Sequence, residues 1–463
     1  MTGPREAVVD LFHRVAATVP AYGDFLSSHG VTPSSIRTYE DFVRLPLTDK
    51  AGYTRRYPLP ELCRYGDLTA CDMIAVSSGS TGQPSFWPRA SYDEQGITER
   101  FAQVFEAFGA RERRTLAVVC FALGTWVGGL YTAACCRHLA ARGFPITVVA
   151  PGNDKREILR VIPDLAPHFD QVVLLGYPPF LKDVIDTGIA DGVPWSEYQL
   201  KLVTAGEVFS EEWRTLVGDR AGIVDLSRGT ASLYGTADAG VLGNETPGSI
   251  AIRRFLAARP ELARQIFGGS RLPTLVQYDP RQRFFETTPE GTLLFSGDNG
   301  IPLIRYHIAD EGGILEHDAL LATLAEHGFD PLPGPELPFV YVFGRTHFAI
   351  SYFGANVYPE NVTVGLEQPG VSASVTGKFV LEVVEDADRN RRLAVTVELA
   401  PGVAGTDELH RTVRSSILTH LLRLNSEFAH YVPEPYQGPE VELRPHGDPA
   451  HFPPGVKHRY TRG

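Results

Sequence analysis

Lysine is scarce in this 463-residue chain. Six lysines stand among 43 basic residues, and the more numerous acids give a formal net charge of −12. A surface of this charge repels nucleic acid and anionic membranes, so neither is expected as a partner. It does not exclude a small positive pocket for an anionic substrate. Because lysine is so rare, Lys457 in the carboxyl-terminal segment stands out as a candidate functional charge.

Cysteine is also rare, and no CxxC pattern occurs. The five cysteines are Cys63, Cys71, Cys120, Cys135 and Cys136. This spacing argues against a disulfide framework or a zinc ribbon and favours a reducing compartment. The amino terminus lacks the apolar run of a signal peptide. A cytoplasmic protein is therefore expected.

One long uncharged run, residues 115–136, has the length of a membrane span. Gly124, Gly128 and Gly129 interrupt it in the middle, however. Its first half is β-branched and apolar, and its second half has the composition of a helix that ends at Gly143. The run therefore predicts a strand, a glycine turn and a helix rather than a membrane span.

Alternating strand-like and helix-like segments between residues 145 and 221 predict a layered α/β fold with a mostly parallel sheet. A proline-rich stretch at 331–338 ends this pattern, and short strands with two helices follow it. The sequence thus predicts a large amino-terminal α/β domain, residues 1–343, and a small α+β carboxyl-terminal domain, residues 344–463.

Two glycine-containing segments have the composition of binding loops. SSGSTGQP, residues 77–84, follows an apolar strand and offers hydroxyl and backbone N–H donors to an anion. It is not a Walker A loop, because GxxxxGK[ST] is not matched. LYGTADAG, residues 233–240, contains Asp238 as a candidate metal or phosphate-site carboxylate and Tyr234 as a stacking platform. The plain alternative for the second segment is a surface turn.

Three further segments follow along the chain: PLIRYHIAD at 302–310, FGRTHFAISYFGANVYPENV at 343–362 and GVKHRYTRG at 455–463. Solvated charge is the plain alternative for the last one. In this order, the five segments resemble the motifs of the adenylate-forming superfamily, which includes acyl-CoA synthetases, firefly luciferase and peptide-synthetase adenylation domains. The most similar branch is the phenylacetate–CoA ligase family. The resemblance runs from about residue 40 to the end of the chain.

The resemblance implies an activity and its cofactors. Such enzymes join a carboxylic acid to ATP, release pyrophosphate and hold an acyl-AMP. A carboxylate must then approach a negative α-phosphate, and Mg²⁺ and fixed cations offset the repulsion. Transfer to CoA would give a thioester. The resemblance also implies that the small domain is mobile, and it makes a homodimer reasonable.

Roles for individual residues follow from the family pattern. The phosphate loop would be Ser77, Ser78, Gly79, Ser80, Thr81 and Gly82. Adenine and ribose would contact Gly206, Glu207, Tyr234, Gly235, Thr236, Asp310 and Arg345. Asp238 would replace the glutamate that binds Mg²⁺. Lys457 would bridge the carboxylate and the α-phosphate, so Lys457, Arg345 and Asp238 are the predicted catalytic residues.

The pocket for the acid is predicted around the glycine-interrupted segment. Its residues would be Phe121, Leu123, Trp126, Gly128, Gly206 and Tyr234. Aromatic and small side chains of this kind suit a planar aromatic acid. For Phe121 and Trp126 the plain alternative is a place in the core.

Departures from the family pattern weaken the prediction of CoA transfer. Gln83 stands where the family often has lysine, His347 and Phe348 replace the paired acids of the hinge, and Ser351 replaces a frequent basic residue. One alternative is therefore an adenylating ligase that passes its acyl group to an amine, a hydroxyl or a carrier protein. Another is a nucleotide-binding protein without turnover, against which the presence of Lys457, Asp310 and Arg345 argues.

Overall fold

Helices form the amino-terminal part of the chain. The computed structural model describes residues 3–77, 85–268, 272–344, 350–452 and 461. The first helices are α1 (Pro4–Thr18), α2 (Pro20–Ser28), α3 (Tyr39–Phe42) and α4 (Leu59–Leu62). Helix α1 buries Val8, Leu11, Phe12 and Val15, which lie on one face at helical spacing. These side chains belong to the same core cluster as residues of the large sheet.

An antiparallel hairpin encloses the predicted phosphate loop. Its strands are β1 (Met73–Ser77) and β2 (Ser85–Arg89), and Ser77 pairs with Ser85 at the end where the loop begins. Of the predicted loop residues, Ser77 is described, whereas Ser78–Gly82 lie outside the described residues.

Strands and helices alternate through the next part of the chain, as predicted. They are α5 (Ser91–Ala107), β3 (Thr115–Val119), α6 (Val127–Ala141), β4 (Ile146–Val149), α7 (Lys155–Leu165), β5 (Gln171–Gly176), α8 (Pro178–Ala190), β6 (Lys201–Ala205), α9 (Glu211–Ala221) and β7 (Thr230–Thr236). The strands pair in parallel in the order β4-β3-β5-β6-β7. Strands β3 and β5 are buried along their whole lengths, which accounts for their continuous apolar sequences.

The uncharged run at 115–136 folds as a strand, a turn and a helix, as its glycines predicted. Gly124 has a φ of +82° in the turn. A Cβ at Gly129 would lie 2.3 Å from the Ala122 carbonyl oxygen, so the helix approaches the turn more closely than a side chain permits. None of the helices in the described ranges has the length and apolar character that crossing a membrane requires.

The second half of the large sheet is antiparallel. Its elements are β8 (Gly240–Asn244), α10 (Pro247–Ala257), α11 (Pro260–Phe267), β9 (Thr274–Gln277), β10 (Arg283–Thr287), β11 (Thr292–Gly297), β12 (Leu303–Leu315), α12 (His317–Ala325) and β13 (Phe339–Gly344). The strand order continues β7-β8-β9-β13-β12-β11-β10. The expected mostly parallel pairing therefore holds only as far as Thr236. Short turns join β7 to β8, β10 to β11 and β11 to β12, and parallel pairing would need longer crossovers.

Chain contacts divide the described residues into two compact units. The first comprises 3–77, 85–176 and 184–344 apart from 269–271, and it contains the large sheet. The second comprises 177–183 and the described residues from 350 onward. That residues 1–343 and 344–463 act as separate functional domains stays a prediction.

The second unit has a mixed α+β composition. Its elements from 350 onward are β14 (Ile350–Tyr352), β15 (Ala355–Val357), α13 (Pro359–Leu366), β16 (Val375–Glu385), β17 (Arg391–Leu399), α14 (Asp407–Leu424), α15 (Ser426–Tyr431), α16 (Glu434–Gln437) and β18 (Glu440–Arg444). Strands β16 and β17 form the predicted hairpin, and β18 adds in parallel to β17. Helix α14 buries Val413, Ile417 and Leu421, and its N-cap Thr406 accepts a hydrogen bond from Leu409 N, as its pattern predicted.

Candidate functional site

The LYGTADAG segment is a tight hairpin turn between β7 and β8. Tyr234 is 8% exposed and Asp238 3% exposed, so the alternative of a surface turn does not hold. A Cβ at Gly235 would lie 2.7 Å from the Gly240 carbonyl oxygen, which only glycine tolerates. The Thr236 hydroxyl oxygen accepts a hydrogen bond of 3.1 Å from Ala239 N inside the turn. The sequence thus builds a compact corner that carries two buried polar side chains.

Strand β12 brings the PLIRYHIAD segment against this corner. Tyr234 donates a hydrogen bond of 2.8 Å from its hydroxyl to Asp310 Oδ2, and both side chains are buried. The strand is irregular here, because Arg305 and Ala309 have φ values of +45° and +63°, which non-glycine residues rarely adopt. The Tyr234 ring also stacks on Phe285 with the ring centroids 6.3 Å apart. One face of the predicted adenine platform is therefore covered by Phe285.

Asp238 makes the second link between the two segments. Its Oδ2 accepts a hydrogen bond of 2.6 Å from the Tyr306 hydroxyl, and its Oδ1 lies 3.2 Å from Lys50 Nζ. Two tyrosine–aspartate pairs, Tyr234–Asp310 and Tyr306–Asp238, thus connect β12 with the turn after β7. Each aspartate is held by a donor from the opposite segment.

Lys50 reaches Asp238 because its backbone is fixed to the same strand. Thr48 forms an isolated β-bridge with Tyr306, and its hydroxyl donates a hydrogen bond of 2.8 Å to the Ile304 carbonyl oxygen. A single π-helical turn, Lys50–Thr54, follows, and the Asp49 carboxylate caps it by accepting from Gly52 N. The segment that carries Lys50 is therefore anchored on both sides of the lysine.

Strand β2 bonds both to Ser77, at the base of the phosphate loop, and to the same corner. The Trp87 indole donates a hydrogen bond of 3.0 Å to Ser77 Oγ. Arg89, which is 1% exposed, donates to the Ala237 carbonyl oxygen and to the Asp238 carbonyl oxygen, the latter at 3.3 Å. Strand β2 thus connects the end of the loop with the turn that holds the Asp238 carboxylate.

The segment in which the acid pocket is predicted contacts strand β1 just before the loop. Val76 N donates a hydrogen bond of 2.9 Å to the Thr125 carbonyl oxygen, and Val76 forms a β-bridge with Trp126. Phe121 is buried, which agrees with the alternative that it belongs to the core. Leu123, Trp126 and Gly128 are partly exposed. The segment is therefore adjacent to the loop base, and its contact with a substrate stays a prediction.

Gly206 and Glu207 directly follow β6, and a buried ionic network that includes Glu211 comes after them in the chain. Gly206 has a φ of +89°, and Glu207 is 6% exposed. The network consists of Glu211, Arg214, Glu245 and Arg253. Its shortest contact joins Arg214 Nη2 to Glu245 Oε1 at 2.7 Å, and Arg253 donates a hydrogen bond of 2.8 Å to the Phe209 carbonyl oxygen. The network therefore fixes the backbone just after the predicted adenine-contacting residues.

The pKa values of the network reflect burial and pairing. Burial alone would raise the pKa of Glu245, but Arg214 and Arg253 hold it below its ordinary value. Burial would likewise lower the pKa of Arg214, and Glu245 and Glu211 raise it instead. Glu245 and Arg214 are therefore both charged at neutral pH.

Three predicted site residues, Arg345, His347 and Lys457, lie outside the described residues. In the segment 455–463 the structure describes Thr461, which forms a β-bridge with Leu381 of strand β16. The roles assigned to Arg345, His347 and Lys457 stay predictions.

A magnesium ion prefers oxygen ligands in near-octahedral geometry. In the parts of the chain that the structure describes, no group of three or more histidine, cysteine, aspartate or glutamate side chains is arranged to hold a metal. The carboxylate oxygens of Asp238 face an ammonium and a phenol. The protein residues at Asp238 thus do not fit a resident metal ion. The magnesium role of Asp238 stays a prediction.

Four residues of this site were missed by sequence reasoning: Lys50, Trp87, Arg89 and Tyr306. Each had a weak signal in the sequence. Lys50 is one of the six lysines, Trp87 and Arg89 directly follow the phosphate loop, and Tyr306 lies inside a segment already singled out. None of these signals names a partner, because the partners are distant along the chain.

Comparisons with known proteins extend these observations. No family model matches the chain. It is 26% identical over 353 residues to a phenylacetate–coenzyme A ligase from Thermus thermophilus, covering 74% of this chain and 70% of that protein.

Two solved structures are similar in fold. A 2-hydroxyisobutyryl-CoA ligase, in complex with 2-HIB-AMP and CoA, matches with a TM-score of 0.67 and 15% identity over 99% of this chain and 89% of its own. The amide bond synthetase McbA from Marinactinospora thermotolerans matches with a TM-score of 0.50 and 15% identity, over 94% and 79% of the chains. The α/β fold class is confirmed, and so is the predicted resemblance to the adenylate-forming superfamily and its phenylacetate–CoA ligase-like branch.

Proposed function

We propose that the protein activates a carboxylic acid with ATP as an acyl-AMP, releases pyrophosphate and then transfers the acyl group to CoA. The observation that carries this proposal is the double link between β12 and the turn after β7. Two buried aspartates with tyrosine donors stand beside the base of a hydroxyl-rich loop. A nucleotide needs this combination, an acceptor for ribose hydroxyls beside donors for its phosphates.

In this proposal each group has a chemical task. Asp310 accepts the ribose hydroxyls, Tyr234 contacts adenine together with Gly206, Glu207, Gly235 and Thr236, and the 77–82 loop binds the β- and γ-phosphates. Lys457 and Arg345 supply fixed positive charge where the acid carboxylate approaches the α-phosphate. A lysine suits this task because it is a compact charge on a flexible stem. Magnesium would enter with the nucleotide and would offset the charge of the phosphates.

An aromatic acid is the proposed substrate class. Trp126 is partly exposed and bridges to Val76 next to the loop base, Leu123 is also partly exposed, and Phe121 is buried. An aromatic ring would bury its faces against such side chains. The phenylacetate named for the relative from Thermus thermophilus has this shape.

CoA is the proposed acyl acceptor, and a different nucleophile is the second candidate. The names of the relatives favour CoA. The replacement of the hinge acids by His347 and Phe348, together with the fold similarity to an amide bond synthetase, favours an amine, a hydroxyl or a carrier protein.

The test is ATP–pyrophosphate exchange with Mg²⁺ and a panel of aromatic and aliphatic acids. The proposal expects exchange that depends on an added aromatic acid. Absence of exchange with every acid, while an ATP analogue still binds, would favour a binding protein without turnover. CoA is then added to the protein together with ATP and the acid that supports exchange. Formation of an acyl-CoA thioester identifies CoA as the acceptor and excludes the second candidate.

Two further expectations are retained as proposals. A reducing cytoplasm suits the five cysteines, all of which are free. A homodimer is the proposed assembly, and light scattering coupled to size exclusion would measure it.

A further inference from the structure

An ion pair stands at the centre of the candidate site. Lys50 Nζ lies 3.2 Å from Asp238 Oδ1, and the side chains are 33% and 4% exposed, respectively. The other oxygen of the carboxylate accepts the hydrogen bond from Tyr306. Both oxygens of Asp238 therefore face donors supplied by the protein, one of them positively charged.

Lys50 is held in this position by contacts on several sides. The bridge between Thr48 and Tyr306 fixes the backbone two residues before it. The ammonium lies 5.7 Å from the centroid of the Trp87 ring, within the range of a cation–π contact. The same indole donates to Ser77 Oγ at the base of the phosphate loop. The ammonium is thus placed beside that loop base and is partly open to solvent.

A metal ion and this ammonium compete for the same carboxylate oxygen. Magnesium coordinates oxygen at about 2.1 Å and demands near-octahedral geometry. An ammonium 3.2 Å from Oδ1 occupies the approach to that oxygen, and two cations so close would repel strongly. A metal at Asp238 would have to displace Lys50 from its anchored position.

We propose that the Lys50 ammonium, rather than a metal ion, is the cation that Asp238 binds. Asp238 then orients the lysine ammonium, and the ammonium binds the polyphosphate anion at the loop base without a divalent metal between them. The assignment of polyphosphate as the ligand rests on the proposed function. The pairing that keeps a metal away from Asp238 does not depend on it.

The first experiment measures metal binding directly. The complex of the protein with α,β-methylene-ATP is titrated with Mn²⁺, and free Mn²⁺ is followed by electron paramagnetic resonance. The wild-type protein and Asp238→Asn are expected to bind Mn²⁺ with affinities within about twofold, since the carboxylate does not ligate the metal. A loss of about tenfold or more in Asp238→Asn would overturn the inference.

The second experiment measures the anion without metal. Tripolyphosphate binding is followed by calorimetry in EDTA for the wild-type protein, Lys50→Met, Lys50→Arg and Lys378→Met. Lys378 is an exposed lysine of the second unit that pairs with Glu398, so its substitution removes the same charge elsewhere. Lys50→Met is expected to bind about tenfold more weakly, whereas Lys50→Arg keeps most of the affinity and Lys378→Met keeps all of it.

The controls separate the possible failures. Circular dichroism and thermal unfolding must show Lys50→Met folded, and rescue by Lys50→Arg shows that charge at this place matters. Equal tripolyphosphate binding by the wild-type protein and Lys50→Met would overturn the inference while leaving the proposed function standing. A wild-type protein that binds neither the ATP analogue nor tripolyphosphate would overturn both.

Discussion

The hydroxyl of Tyr234 donates a 2.8 Å hydrogen bond to Asp310 Oδ2, although the two residues are 76 positions apart. The tyrosine lies on strand β7, which closes the parallel half of the sheet, and the aspartate lies on β12 in the antiparallel half. The contact therefore joins the two halves at the candidate nucleotide site. Because both groups are buried, neither side chain can move without breaking a hydrogen bond to a charged acceptor.

Replacement of Asp310 tests the ribose contact. Asp310→Ala removes a charge-assisted acceptor and is expected to weaken ATP binding by about 1.5–3 kcal/mol. Tyr234→Phe keeps the ring and the carboxylate, so a smaller loss is expected. Calorimetry with a non-hydrolysable ATP analogue measures both. An unaltered affinity in Asp310→Ala would contradict the assigned role.

Replacement of Lys457 tests the carboxyl-terminal motif. Lys457→Ala is expected to lower adenylation by about 10²–10³-fold, the usual effect of losing a preorganised donor at a developing charge. Thermal unfolding checks that the substituted protein is folded. Exchange assays compare it with Lys378→Ala, which removes an exposed lysine from strand β16. Equal exchange rates in the two variants would show that the motif assignment is wrong.

The buried ionic network sets the stability of the loop that follows β6. Arg214→Met leaves Glu245 buried without its nearest cation and is expected to reduce the free energy of unfolding by about 3–5 kcal/mol. Arg264→Met, which removes an exposed arginine paired with Glu261, is the control and is expected to cost less than about 1 kcal/mol. Denaturant unfolding measures the difference, and equal costs would refute the structural role of the network.

The same network predicts an acid dependence of stability. Arg214 and Arg253 hold the pKa of Glu245 below its ordinary value of 4.5 against the effect of burial. A lowered carboxyl pKa contributes stability that is complete above the ordinary value and is lost as the pH falls through the folded-state pKa. The free-energy difference between the wild-type protein and Glu245→Gln should thus be constant near neutrality and shrink below pH 4.5. A difference that grows on acidification would contradict this sign.

The close backbone approach at Gly235 predicts that one added methyl group destabilises the protein. Gly235→Ala places a Cβ 2.7 Å from the Gly240 carbonyl oxygen and is expected to destabilise the protein by about 1–3 kcal/mol. The matched control is Gly334→Ala, whose Cβ would meet nothing within 4 Å. Thermal unfolding measures the stability of the two variants, and binding of an ATP analogue is the second measurement. Equal stability in both would remove the close approach as an explanation.

Local sequence patterns were sufficient to predict most of the alternating strands and helices of the first unit. Glycine placement in the 115–136 run separated a buried strand from a membrane span, and the run of residues 171–176 matched strand β5. The same reasoning overextended the parallel sheet, because strand composition does not record the direction of the neighbouring strand. Short turns from β7 to β8, from β10 to β11 and from β11 to β12 leave no room for a crossover, so these neighbours pair antiparallel.

By itself the sequence determined which residue types line the site, because hydroxyl-rich, aromatic and acidic segments recur in the order of a known family. Only the tertiary structure decided how those residues are paired. Lys50 and Asp238 are nearly two hundred positions apart, and no local pattern relates them. Their contact depends on Thr48 bonding to β12 and on β12 returning Tyr306 to the turn after β7. Side-chain pairing across a sheet is set by strand order and register, which a sequence encodes only through the packing of the whole core.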